Sequence, residues 1–126
     1  MNFKYFVPAE FEYSETAKQL GINNKIPNCL WLNLQNLVLT VLDPAREQLG
    51  CPIRVNSGYR SFELNKAVKG AKNSYHMQAR AADIAPIAYR NTSEEWQNKL
   101  DRLYDILQQL PHTELIRYPN FIHVAL

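Results

Sequence analysis

The sequence predicts an α+β domain, a small and mainly antiparallel sheet with flanking helices. Three observations predict it. Apolar residues recur at helical spacing in two long stretches, short extended segments lie between and after them, and the last of these reads as a hairpin. With 126 residues, 46% of them hydrophobic and 21% charged, the chain can bury a substantial core and reads as one domain, residues 1–126.

Between residues 26 and 50, Leu30, Leu34, Leu37, Val38, Val41 and Leu42 follow one another at three- and four-residue intervals, the stripe of a helix packed on a core. Pro44 is expected to kink this helix or begin a new turn, and Gly50 to end it. Pro52-Ile53-Arg54-Val55 reads as a short strand feeding the loop Ser57-Gly58-Tyr59-Arg60. Ser61 can cap a short helix through Val68, closed by Gly70. Asp83-Ile84-Ala85 reads as a second strand. Thr92-Ser93-Glu94-Glu95 has the form of a capping box, and the helix it opens is expected to bury Trp96, Leu100, Leu103, Ile106 and Leu107 and to end near Leu110. The final hairpin pairs residues 114–118 with 121–126 around Pro119-Asn120, a pair that hairpin turns do not favour. In that register Ile116 faces His123, and Glu114 lies diagonally across from it.

Several classes are excluded. A net charge of +2 and a pI near 8.6, with dispersed Lys and Arg, give no footprint for nucleic acid. No run approaches a membrane span. The N-terminal segment lacks an apolar h-region and a small-residue cleavage site, so the expected location is the cytoplasm as synthesised. Cys29 and Cys51 are too few for a disulfide framework or a Cys-type zinc site and read as buried free thiols. There is no repeat, low-complexity tract or linker.

The chemistry concentrates in Ser74-Tyr75-His76-Met77-Gln78-Ala79-Arg80-Ala81-Ala82-Asp83 and in His123 near the end of the chain. Two imidazoles and one carboxylate make a three-ligand set. That set leaves a fourth tetrahedral position for water, as in a catalytic rather than a closed structural zinc site. His112 reads as a loop residue and not a fourth ligand.

Ser57-Gly58-Tyr59-Arg60-Ser61, then Gly70-Ala71-Lys72-Asn73-Ser74-Tyr75-His76, then Ala81-Ala82-Asp83-Ile84, then a final His123 form a succession that resembles the zinc D-Ala-D-Ala carboxypeptidase and endolysin family, peptidase family M15, over residues 36–123. The resemblance implies a fold shared with hedgehog-type signalling domains. It also implies Zn2+ on His76, Asp83 and His123, with Arg60 as a substrate-binding cation whose planar fork suits a carboxylate or oxyanion. Ser74 resembles the family serine beside the first ligand and is carried over as substrate-binding. The implied partner is a peptidoglycan stem peptide, and the protein is expected to be a monomer. Small size and the missing export signal fit a phage or prophage lysis protein.

Two positions depart from the family pattern. Ala79 stands where the family usually has glycine, which is tolerable unless the backbone there needs positive φ. The general base is the second. Its usual place three residues before the last histidine is Asn120, and an alternative place aligns with Tyr118, so Glu114 is the remaining candidate. The competing function is a non-catalytic zinc-binding module, in phage structure or assembly or in wall binding, that kept the metal and lost the base.

Overall fold

The computed structural model describes residues 3–87 and 92–126; Met1 and Asn2, part of the segment read for an export signal, lie outside them. The expected α+β architecture is present: a four-stranded, wholly antiparallel sheet with flanking helices.

Two short helices that periodicity did not reveal come first, α1 (Ala9–Glu12) and α2 (Glu15–Leu20). Ser14 caps α2 by accepting the Ala17 N–H, and Gly21 ends it at φ 66°. The long apolar stripe then forms a 3-10 turn (Asn28–Leu30), α3 (Trp31–Leu37), a π turn (Val38–Leu42) and α4 (Asp43–Leu49). Pro44 explains the interruption. It has no N–H to offer the preceding turn and its ring crowds the carbonyl there, so the ladder widens and Asp43 N–H bonds Val38 O. Gly50 ends α4 at φ 76°, as expected. The 3-10 turn leaves Cys29 exposed and Leu30 only half-buried, because neither lies on the packed face of the helix proper. Cys51 is also only partly covered, so the expectation of buried thiols is corrected for both.

The strands are β1 (Ile53–Ser57), β2 (Ala81–Pro86), β3 (Glu114–Arg117) and β4 (Ile122–Ala125), in the spatial order β1-β2-β4-β3. Tyr118 N–H bonds Phe121 O across Pro119-Asn120, and Ile116 pairs with His123, so the hairpin has the expected register. Between β1 and β2 runs α5 (Phe62–Ala67), capped by Ser61, which accepts the Leu64 N–H. Its closure differs from expectation. The left-handed residue is Lys69, at φ 57°, while Gly70 is needed for space: a Cβ there would meet Asn65 Oδ1 at 2.0 Å.

Helix α6 (Ser93–Gln108) starts where Thr92 Oγ1 accepts the Glu95 N–H. Its Leu100, Leu103 and Leu107 are fully buried against Leu34, Leu37, Val41 and Leu42 and against Ile84, Ile122 and Val124 of the sheet. Trp96 and Ile106 lie at the margin of this core and are only partly buried, a correction to the expected stripe. The helices thus cover one face of the sheet. The opposite face carries the polar residues Ser57, Asp83 and His123 side by side, because Ser57 pairs with Asp83 and Asp83 with His123.

Candidate metal centre

Asp83 on β2 and His123 on β4 are direct cross-strand partners, and such pairs bring side chains on one face into contact. His76 joins them from a 3-10 turn, Tyr75–Gln78, whose cap is Ser74: its Oγ accepts the His76 N–H at 3.1 Å. The His76 ring is buried, and its Nδ1 lies 2.7 Å from Gly58 O. A carbonyl only accepts, so Nδ1 carries a proton to meet it, and Nε2 is the nitrogen that faces Asp83 Oδ1, 3.3 Å away. His123 presents the other edge: Nδ1 lies 2.9 Å from Asp83 Oδ1, and Nε2 lies 2.8 Å from Glu114 Oε1.

These donors fit a metal ion. The ligand atoms of His76, Asp83 and His123 all lie within 4.8 Å of one another. Two donors each about 2.1 Å from a tetrahedral ion stand roughly 3.4 Å apart. The two histidine-to-aspartate separations, 3.3 and 2.9 Å, are close to that. His112 takes no part; it is exposed and its Nδ1 faces Leu110 O.

A polar scaffold fixes the cluster. Arg60 has Nε on Ser57 Oγ (3.1 Å), Nη1 on Asn65 Oδ1 (3.3 Å) and Nη2 at 3.5 Å from Asp83 Oδ2, and its own N–H bonds His76 O. Buried Asn24 supports the same loop: it donates to Glu12 O and Tyr59 O and accepts from Ser61 N. Asn24 carried no signal in the sequence beyond being an asparagine, since its partners lie 12 to 37 residues away in the chain, whereas Asn65 works locally, accepting from Arg60 and donating to Ala71 O.

Burial pushes the Asp83 carboxyl up, but hydrogen bonds from His123 and His76 and their charge outweigh it and hold it at about 2. A depressed carboxyl stabilises the fold above its unfolded value and loses that stabilisation as pH falls through its folded one. The metal-free protein is therefore expected to lose on the order of 2 kcal/mol between about pH 4 and pH 2 through this group. Urea midpoints of the native chain and Asp83→Asn should converge across that range; parallel curves would contradict the coupling. His123 is raised, first by its bond to Asp83, so acid competes with a metal at its ring.

Ala79, which follows the His76 turn, is left-handed at φ 56°. The departure from glycine therefore falls where positive φ is required. Ala79→Gly would relieve about 1–2 kcal/mol of backbone strain. It would also lose about 0.8 kcal/mol from a buried methyl and about 0.5–1 kcal/mol of chain entropy. Ala79 is 1% exposed, so the methyl counts in full, and the expected melting temperature is nearly unchanged. A rise of ten degrees would show that the strain dominates.

His76, Asp83 and His123 line a cleft of about 430 Å³, bordered by Arg60, Ser74, Tyr75, Ile116, Tyr118 and Phe121. Asn120 faces a neighbouring depression with Arg54, Asn56 and Trp96. Glu114 borders the cleft but holds the edge of His123 opposite to the one that meets Asp83.

In this α+β domain two imidazoles and a carboxylate converge beneath an open cleft, a donor set that could hold a metal ion and would leave coordination positions free. The sequence matches the family Peptidase M15 over residues 4–125, and the chain belongs to that family. Membership places it among metal-dependent peptidases of the peptidoglycan-hydrolase type. No curated protein matches the chain at a significant level. Among the described residues no helix is long and apolar enough to cross a membrane.

Proposed function

We propose that the chain is a zinc peptidase that hydrolyses peptidoglycan stem peptides, as a D,D-carboxypeptidase or as an endolysin-type endopeptidase. The observation that carries this reading is the convergence of His76 Nε2, Asp83 Oδ1 and His123 Nδ1 under a cleft edged by a cation, in a chain of the M15 family. Zinc held by these residues would supply Lewis-acid polarisation of the scissile carbonyl and lower the pKa of a water. The chain's own residues do the rest. Asp83 stays ionised and anchors both imidazoles, and Arg60, with 18% of its side chain exposed, steadies Asp83 and presents guanidinium N–H groups to a stem-peptide carboxylate or oxyanion. Ser74 shapes the cleft wall next to His76. In this reading residues 1–126 act as one monomeric domain that reaches the wall after release from the cytoplasm, as a phage-type lysis protein would.

Mass spectrometry of purified muropeptides after incubation with zinc-loaded protein, beside a chelated control, tests the proposal. Zinc-dependent loss of terminal D-Ala or of the stem is expected, and the mass change identifies the bond.

One observation favours a second reading, a zinc-binding module without turnover. The carboxylate that borders the cleft besides Asp83 is Glu114, and it is committed to His123. Intact muropeptides beside stoichiometric bound zinc would select that reading.

A further inference from the structure

We propose that Glu114 is the positioning residue of the metal centre: it fixes the tautomer and ring orientation that make His123 a ligand through Nδ1. This rests on the metal-site reading above and gives Glu114 a different duty from proton transfer. A neutral imidazole has one N–H and one lone pair. For His123 the choice is contested, because an acceptor lies at each end: Asp83 Oδ1 is 2.9 Å from Nδ1, and Glu114 Oε1 is 2.8 Å from Nε2. If the remaining proton went to Nδ1, the ring would donate to Asp83 and offer no lone pair to the space that His76 and Asp83 share. Glu114 claims that proton for Nε2. Nδ1 is then free, and the ring is held against rotation about its bond to Cβ.

His76 has the mirror arrangement. Gly58 O holds its Nδ1 proton and leaves Nε2 for the site. The two histidines thus point opposite nitrogens at one place, each fixed by an acceptor behind it, the arrangement by which outer partners orient metal-bound histidines. Gly58 holds its position through the backbone. Glu114 is a side chain on the edge strand β3, 43% exposed, and so can be changed without disturbing the core.

The position of Glu114 also separates this role from that of a base. Nδ1 and Nε2 lie on opposite sides of the imidazole, so a carboxylate bonded to Nε2 stands behind the ring, away from the point where the ligand atoms converge. Proton transfer needs a group within hydrogen-bond reach of the reacting atoms.

Wild type, Glu114→Ala and Glu114→Gln should be compared for zinc affinity by competition with a chromophoric chelator, and for the visible spectrum of the cobalt-substituted protein. Alanine is expected to weaken affinity by about 10–100-fold and to alter the cobalt bands. Glutamine, whose carbonyl oxygen still accepts an N–H, should restore both, with turnover per bound zinc near that of wild type. Unchanged affinity in Glu114→Ala overturns the assignment. So does full affinity in all three proteins with turnover lost in Glu114→Gln, which would make Glu114 the base. A wild-type chain that binds no zinc would overturn the metal reading itself, a result distinguishable from either.

Discussion

Replacing His76 by alanine is expected to abolish stoichiometric zinc binding and peptide hydrolysis together, while the chain stays folded. His76 is the most enclosed of the three candidate ligands: its side chain is 3% exposed, and its ring cannot turn without losing Gly58 O. Removing it leaves that carbonyl without a donor in a buried place, at about 1–3 kcal/mol. That is tolerable against a typical stability of about 5–15 kcal/mol. The metal site has no such margin. Loss of an outer partner alone weakens metal binding by about 10–100-fold, so loss of one ligand of three should exceed about 100-fold. Metal analysis after dialysis, circular dichroism and muropeptide digestion separate the outcomes. A folded His76→Ala protein that retains zinc at wild-type affinity would show that the ligand set is wrong.

The parts of this site that were legible in the sequence are those set by local arithmetic. A two-residue turn at Pro119-Asn120 makes the sum of paired positions constant along β3 and β4, which sets Ile116 opposite His123 and brings Glu114 diagonally within its reach. The order of His76, Asp83 and His123, with the serine-glycine-tyrosine-arginine loop before them, pointed to the same cluster that the fold assembles. What the sequence could not show depends on which atom faces which. Imidazole has two nitrogens, and the one turned to the site is set at His76 by Gly58 O and at His123 by the carboxylates that flank the ring; the Gly58 and Asp83 contacts lie beyond the reach of hairpin arithmetic. Helices α1 and α2 escaped because four and six residues are too few to display a helical period. Cys29 is exposed for a related reason: it stands at the start of an apolar helical stretch, but a 3-10 turn puts it outside the packed face.

Gly58 shows how far such hidden constraints reach, and Gly58→Ala is expected to be the most damaging single-methyl change at the site. In the sequence this glycine reads as a loop residue; its φ is not positive, and it is needed because α1 leaves no room. A Cβ at position 58 would stand 2.6 Å from Phe11 Cα and 2.8 Å from Phe11 O, backbone atoms that cannot swing aside as a flexible side chain would. Phe11 O also accepts the Tyr59 N–H at 2.7 Å, so relief by separation breaks that bond. Overpacking of this kind costs about 1–3 kcal/mol, which for a domain of this size lowers the melting temperature by roughly 5–12 °C. The functional cost follows from the same movement. Gly58 O orients the His76 ring, so a shift of this backbone should weaken zinc binding by about 10–100-fold, the range expected for an outer partner. Excess zinc should then recover part of the lost melting temperature, because a ligand that binds only the folded chain stabilises it by mass action. Thermal melts of Gly58→Ala across a zinc titration, beside the native chain, test both links. A variant that melts low but binds zinc normally would confine Gly58 to packing, and one that melts normally would show that α1 can retreat from the loop.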